Sequence, residues 1–407
     1  MSNRLKSFAL ASLVFSLTCG VGLAASDVVV KHTLAQTATS SDGKAEADKL
    51  FEEGVQQFRR GEYPKALQTY QRVLEIRRQL GDKAGIGQTL NNIGQVYNGL
   101  LQQEKALETL QQALTIRREI KDRAGEGETL DSLGGVYLAL SQDEKSLETL
   151  QQALAIRREV KDKVGEAITL SRMGLTYSYL KQQDKGLKLL QQALAMHREL
   201  GDKYQEGLTL FRIAGAYGNV HDYPSALDWY SKALAVNREV GNRAWEGRSL
   251  QQIGYVYFNK KEYDNALKFL QQSLPLIQEA GIRYFEPSIL NSLGDTYFKQ
   301  EKYDKAIEHY QKALPIAREV KDKSLEFQIL VSLGDSYNKV KNYELALEAY
   351  QQALPLARGL KNKLQEGIIL FSIGTFYNLL GKPEQAIAPL ELSLSIAREV
   401  KDKFLVS

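Results

Sequence analysis

Apolar and polar positions recur along this chain every 40 residues, nine times, from about residue 47 to the end. One position of every repeat is a leucine, from Leu50 to Leu370. Four residues later comes a glycine, which is replaced only in the fifth repeat, by Ala214. Several coincident columns with one period indicate tandem duplication, and a period of this size predicts a solenoid of stacked units.

The apolar positions within one repeat are spaced for two amphipathic helices. In the second repeat, Leu90, Ile93 and Tyr97 share one helical face with Gly94. After a polar break around Gln102, a second face carries Ala106, Leu107, Leu110, Ala113, Leu114 and Ile116. Neither helix can bury its apolar stripe alone, so we expect the two to pair and the pairs to stack. The glycine is expected where two helices approach closely, because a Cβ there would push the partner helix away.

The order of these residues resembles the tetratricopeptide repeat. Leu-x-x-Ile-Gly-x-x-Tyr is followed by Ala, Leu and Ala at fixed offsets, although leucine occupies the column in which the family usually has tryptophan. The usual unit has about 34 residues, and the longer unit here resembles kinesin light chains, Pins-like adaptors and the arrays that precede CHAT (caspase-like) domains in some bacterial proteins. The resemblance implies an all-α, right-handed superhelical solenoid of nine helix-turn-helix repeats, about 18 helices, over residues 46–407.

The N-terminal segment has the layout of a secretory signal peptide. Arg4 and Lys6 precede an uncharged run over residues 8–25, which ends in small residues that suit cleavage. An uncleaved membrane anchor formed by the same run is the alternative. We therefore expect a signal peptide over residues 1–25 and a flexible linker over residues 26–45. The mature protein is expected to be periplasmic or extracellular, without a membrane span.

Composition and charge argue against several other classes of function. The 53 basic and 49 acidic residues nearly balance, so no large basic field is present and nucleic acid is a poor partner. The single cysteine, Cys19, lies in the N-terminal segment. The four histidines are not spaced as metal pairs, and no nucleophile elbow or phosphate loop is present. We therefore expect no catalytic residue, no metal site and no cofactor.

The resemblance also implies a function. In tetratricopeptide solenoids the first helix of each pair lines the inner surface, and in this chain that face varies between repeats while the core columns stay fixed. We therefore expect a non-catalytic scaffold that binds peptides or domains of other proteins in its concave groove. The alternative is the recognition arm of a CHAT-type signalling system whose effector domain is absent or separate.

The predicted partner-binding positions lie on the first helices, opposite the leucine and glycine columns. Asparagine and glutamine are suited to such a face, because their amides both donate and accept hydrogen bonds to a peptide backbone. The predicted residues are Asn91, Asn92, Gln95, Asn98, Arg172, Tyr179, Phe211, Arg212, Tyr255, Phe258, Asn259, Asn291, Asp295, Phe298, Asp335 and Asn338.

The most specific expectation concerns the fifth and sixth repeats. Gly215 and Gly218 are expected to leave a hollow on the inner face. Its surroundings are expected to be aromatic and positively charged: Phe211, Tyr255, Phe258, Arg172 and Arg212. A peptide with an aromatic or aliphatic anchor, acidic toward the fourth and fifth repeats, would fit there. The alternative is that the fifth repeat has drifted, with its glycine and a small residue exchanged.

The last repeat carries apolar positions that no following repeat covers, namely Ile387, Leu390, Leu394 and Ile396. Either this end frays, another chain covers it, or a downstream domain has been lost. Solenoids usually end in a helix with a polar outer face. We therefore expect that identical chains can associate end to end through this repeat.

Overall fold

The computed structural model describes residues 42–400, and in that part of the chain it contains 18 α-helices and no strand. The helices form nine antiparallel hairpins that stack in chain order. The predicted all-α solenoid of nine repeats is therefore confirmed. The predicted signal peptide or anchor, and the predicted linker up to residue 41, lie outside the described residues. None of the helices in the described part is long and apolar enough to cross a membrane.

Most helices have 17 residues, and three residues separate consecutive α-helices except between α12 and α13. A short 3-10 helix, Arg283–Phe285, precedes α13. The helices are α1 (42–59), α2 (Tyr63–Gln79), α3 (Lys83–Gly99), α4 (Gln103–Glu119), α5 (Arg123–Ala139), α6 (Asp143–Glu159), α7 (Lys163–Tyr179), α8 (Gln183–Glu199), α9 (Lys203–Asn219), α10 (Tyr223–Glu239), α11 (Arg243–Asn259), α12 (Tyr263–Glu279), α13 (Glu286–Lys299), α14 (Tyr303–Glu319), α15 (Lys323–Lys339), α16 (Tyr343–Gly359), α17 (Lys363–Leu379) and α18 (Pro383–Val400).

The repeated leucine and glycine columns form the contact between the two helices of each hairpin. Leu90 and Ile93 are buried on α3, and they face a stripe on α4 that includes the fully buried Leu110. A Cβ added at Gly94 would lie 2.5 Å from Cγ of Leu110, which is too close for any real Cβ contact. The glycine is therefore required by the close approach of the two helices, as the sequence predicted.

The turns between hairpins also repeat. The residue before each N-cap adopts a left-handed conformation, as at Lys121 with φ of 58°, and glycine occupies this position in several turns. The N-cap that follows is often an aspartate, and the carboxylate of Asp122 accepts a hydrogen bond of 2.9 Å from the backbone N–H of Gly125. Such a cap stabilises a helix by about 1 kcal/mol, so the connector sequence sets where each new repeat begins.

The superhelix coils far enough to bring the first hairpin against the sixth repeat. The backbone N–H of Arg243 donates to the carbonyl of Arg60 at 3.2 Å, which links the turn after α1 to the start of α11. Ala244 is fully buried beneath Gly61. These contacts close one turn of the superhelix, and its inner face becomes the wall of a concave space.

Candidate functional site

The inner face of this closed turn surrounds a cavity of about 750 Å³. Its wall is built mainly from the first helices of the second to sixth repeats, which are α3, α5, α7, α9 and α11. Tyr63 of the first hairpin and Phe285 of the connector before α13 complete the wall. A concave space of this volume is typical of a binding site.

Aromatic rings cluster on one side of the cavity. The ring centroid of Phe211 lies 5.2 Å from that of Tyr230 and 5.0 Å from that of Trp245, and both pairs meet edge to face. The guanidinium carbon of Arg248 lies 4.3 Å from the Trp245 centroid and 4.7 Å from the Phe285 centroid. The rings hold this cation by cation–π interaction, and within residues 42–400 its N–H groups donate no hydrogen bond.

Three arginines bring positive charge into the cavity wall. Arg172 is paired with Asp131 at 3.0 Å, whereas Arg212 donates a hydrogen bond of 2.8 Å to the hydroxyl of Ser171. Among the described residues, neither Arg212 nor Arg248 has an acidic side chain at ion-pair distance. Burial lowers the pKa of both guanidinium groups, and the charge of Arg172 lowers the pKa of Arg212 further. The cavity therefore favours a ligand that carries negative charge.

The hollow predicted on the fifth repeat is present. A Cβ added at Gly218 would have no other atom within 4 Å, and one added at Gly215 would meet only the hydroxyl oxygen of Tyr230, at 3.5 Å. Both glycines line the cavity. Ala214 occupies the position of the buried glycine column and is itself fully buried. The exchange of glycine and a small residue in this repeat therefore opens space beside the aromatic cluster.

Within residues 42–400, no group of three or more histidine, cysteine, aspartate and glutamate side chains is placed to hold a metal ion. The chemistry of the cavity is that of aromatic contact and charge.

The tetratricopeptide repeat model matches residues 54–119, 125–199, 205–279, 248–319, 285–358 and 325–399. The chain belongs to the tetratricopeptide repeat family. The matches cover most of the solenoid. No curated protein sequence matches the chain.

Solved structures share the fold of this tetratricopeptide solenoid at low sequence identity. One is a Signal Transduction ATPase with Numerous Domains protein with a tetratricopeptide repeat sensor from Pyrococcus horikoshii, with a TM-score of 0.68 and 16% identity over 86% of this chain. This chain spans 54% of that protein. A Rap protein complexed with Competence and Sporulation Factor matches with a TM-score of 0.58 and 17% identity, over 88% of this chain and 99% of its own. The quorum sensor NprR from B. thuringiensis matches with a TM-score of 0.54 and 18% identity, over 85% and 99%.

The structure brings some of the predicted partner-binding residues together. Tyr179 and Tyr255 each leave more than half of their surface exposed, at 55% and 53%. Binding of a partner by these residues stays a prediction. The six that line the cavity are Asn98, Arg172, Tyr179, Phe211, Arg212 and Tyr255.

Two predicted asparagines do not face the groove. Asn91 is fully buried, and its amide donates to the carboxylate of Glu128 on α5 at 3.1 Å. Asn291 is also buried, and its amide donates to Asp295 at 2.9 Å. The prediction that these two face open space is wrong, because this side of the helix turns toward the neighbouring first helix.

Two predicted phenylalanines pack within their own hairpins. The ring of Phe258 lies 5.8 Å from that of Tyr263, and the ring of Phe298 lies 5.3 Å from that of Tyr303. The prediction that Phe258 forms a wall of the hollow is therefore wrong. Its position near the end of α11 directs it to the turn, and not to the cavity.

The remaining predicted residues also lie outside the cavity wall. The amide of Asn92 donates to the hydroxyl of Tyr70 at 3.1 Å, and that of Asn259 donates to its own helix at the Tyr255 carbonyl, at 2.8 Å. Any role of this set in binding stays a prediction. The set is Asn92, Gln95, Asn259, Asp295, Asp335 and Asn338.

Several residues of the cavity wall were not predicted from the sequence. Trp245 and Phe285 occupy a column that is glycine in the second to fourth repeats, and this change of residue type is a signal that the sequence carries. Arg248 occupies a repeat position at which the residue type differs from one repeat to the next, so no pattern pointed to it. Tyr63 reaches the cavity only through the coiling of the superhelix, which no single repeat encodes.

Proposed function

We propose that this chain is a protein-interaction scaffold that takes a segment of a partner protein into the cavity inside its first superhelical turn. The observation that carries the proposal is that the hollow in the fifth repeat lies next to an arginine without an ion-pair partner among the described residues. Gly215 and Gly218 leave open space directly beside Arg212 and the aromatic ring of Phe211. No other repeat has this combination of residues at the corresponding positions.

The chemistry of the wall supports a segment with an aromatic or aliphatic anchor and an acidic residue. Aromatic and arginine side chains dominate the binding energy of protein interfaces, because they combine a large contact area with specific charge or hydrogen bonds. Related folds support the idea of a scaffold that receives a regulator, since one Rap protein of this fold was solved in complex with Competence and Sporulation Factor.

A substitution that fills the hollow with a larger side chain tests the proposal. Gly218→Leu places a side chain in open space, so the fold should be kept while the cavity loses volume. Gly359→Leu, at the exposed end of α16, is the matched control, because a Cβ there also meets no atom within 4 Å. Peptides selected from a random library on the unaltered chain should bind the Gly359→Leu variant normally and the Gly218→Leu variant at least about tenfold more weakly.

The selected peptides should share an acidic residue near an aromatic or aliphatic one. Equal binding to both leucine variants would place the peptide site elsewhere on the solenoid and contradict the proposal.

The proposal also places the scaffold outside the cytoplasm, on the strength of the signal-like pattern in residues 1–25. Sequencing the N-terminus of the protein from its native cell tests this point. A mature chain that begins near Ala25 supports export, whereas an intact N-terminus in the membrane fraction supports the anchor.

A further inference from the structure

Two of the four tyrosines in one column of the second helices meet a carboxylate through their hydroxyls; the column holds Tyr70, Tyr230, Tyr310 and Tyr350. Tyr310 donates to Asp295 at 2.6 Å, and Tyr350 donates to Asp335 at 2.5 Å. In both repeats the aspartate stands 15 residues before the tyrosine, on the first helix of the same hairpin. The seventh and eighth repeats therefore show where a carboxylate fits against this tyrosine.

The fifth repeat has the tyrosine without the aspartate. Tyr230 occupies the same column, and Gly215 stands where the other two repeats have aspartate. Tyr230 is only 4% exposed, and among the described residues its hydroxyl has no hydrogen-bond partner. A Cβ at Gly215 would lie 3.5 Å from that hydroxyl oxygen. The space that an aspartate side chain fills in the later repeats is thus open to the cavity in this one.

The charge around this space also differs between the repeats. Arg248, on the next repeat, packs against the same Phe211 ring that contacts Tyr230, with its guanidinium carbon 5.3 Å from the Phe211 centroid. The corresponding neighbours of the seventh and eighth repeats are Gln328 and Ile368, which carry no charge. A carboxylate beside Tyr230 would therefore lie near an arginine. Burial raises the pKa of Asp295 and Asp335, and the charges that lower it belong instead to Lys299 and Lys339, on the aspartates' own helices.

We infer that Gly215, Tyr230 and Arg248 form a subsite for the side-chain carboxylate of an aspartate or glutamate on the bound partner segment. The inference rests on the proposed function, because it assumes that a polypeptide enters the cavity. The hydroxyl of Tyr230 donates one hydrogen bond, and Arg248 supplies the opposite charge. A side-chain carboxylate is assigned because side-chain carboxylates fill this space in the seventh and eighth repeats.

The first test fills the subsite from within and needs no ligand. Gly215→Asp should raise the unfolding temperature above that of Gly215→Asn, which has the same shape without the charge and a similar helix propensity. The difference should shrink when Tyr230→Phe is added to both variants. An unfolding temperature for Gly215→Asp equal to or below that of Gly215→Asn would overturn the inference.

The second test measures binding with a defined probe. The chain has two tryptophans, so Trp229→Phe leaves Trp245 in the cavity wall as the only tryptophan reporter. A tripeptide with capped ends and aspartate between two phenylalanines should bind, as measured by quenching of this fluorescence, with an affinity at least about tenfold higher than that of the asparagine version. The asparagine version lacks the charge-assisted hydrogen bond. Gly215→Asp in the same background should remove that preference.

The outcomes separate the subsite from the proposed function. Equal affinity for the two tripeptides, with real binding of both, would overturn the subsite and leave the proposed function standing. Equal or tighter binding of a tripeptide of three phenylalanines with a free terminal carboxylate would overturn the assignment to an acidic side chain. Absence of quenching by all three peptides would contradict the proposed function and the inference together.

Discussion

At the scale of single residues, the glycine column shows how one missing side chain sets the distance between two helices. A Cβ added at Gly134 would lie 2.5 Å from Cγ of Leu150, which is fully buried. Alanine favours the helix by up to about 1 kcal/mol over glycine, but a forced overlap in a packed core costs about 1–3 kcal/mol. The cost of the overlap is therefore expected to exceed the gain in helix propensity, so that alanine at Gly134 destabilises the fold.

We predict that Gly134→Ala lowers the free energy of unfolding, as measured by urea denaturation. Gly218→Ala is the control, because its added Cβ meets no atom within 4 Å and only the gain in helix propensity remains. Stabilisation by both substitutions would show that the helices separate easily and that the column has no packing role.

A second residue gives the solenoid a dependence on pH. His197 on α8 is fully buried, and in the described part of the chain neither ring nitrogen has a hydrogen-bond partner. Burial lowers its pKa to about 4, while the neighbouring Asp202 and Glu206 raise it and Arg212 lowers it. The unfolded chain takes up this proton near the ordinary pKa of about 6.5, so protonation favours unfolding.

We predict that stability falls as the pH drops from about 6.5 toward 4, by up to about 3 kcal/mol from this one group. His197→Asn places the residue found at the same position of the next repeat, Asn237, and removes the titrating group. Unfolding measured across this range should show a weaker pH dependence for the variant. Parallel curves for the two proteins would mean that His197 already accepts a proton in the folded state.

At the scale of helices and turns, the sequence predicted most of the structure. The leucine, glycine and tyrosine columns repeat with helical spacing, so the existence and pairing of the helices followed from the period. The wrong predictions concern the direction in which individual side chains point from a helix, and not the existence of the helices. Adjacent positions on a helix differ by about 100°, and Asn91 therefore turned toward the neighbouring repeat although its position looked suited to the groove.

The turns contain a residue with a left-handed backbone conformation, which is strained except in the repeats that have glycine there. Lys321 has φ of 60°, whereas the same turn position is Gly201 and Gly241 in the fourth and fifth repeats. A left-handed conformation costs a residue with a Cβ about 1 kcal/mol or more. We predict that Lys321→Gly raises the free energy of unfolding, and that Lys339→Gly, in the last turn of α15, lowers it. Changes of the same sign in thermal unfolding would contradict this account of the turns.

At the scale of the whole molecule, the contact between the first hairpin and the sixth repeat completes the cavity. This contact could not be predicted from the repeat pattern, because the coiling per repeat is a small angle that adds up over five units. Trp245 and Tyr63 therefore meet in the structure although they belong to distant repeats, with Gly61 packed against Ala244 between them.

We predict that Ala244→Glu opens the closed turn. Ala244 is fully buried at the contact, and glutamate suits the first turn of a helix, so helicity should be unchanged while the radius of gyration in X-ray scattering rises. Ala84→Glu is the matched control, since Ala84 occupies the same position of the second repeat and is exposed. An unchanged radius of gyration for Ala244→Glu would show that the contact does not hold the superhelix closed.

The most direct test of the account locates a bound peptide on the solenoid. A peptide selected on the unaltered chain is resynthesised with a photoreactive group, crosslinked, and mapped by mass spectrometry. We expect crosslinks on the inner face of α9 and α11, between residues 211 and 219 and between residues 245 and 255. Crosslinks confined to the second helices, on the outside of the superhelix, would contradict it.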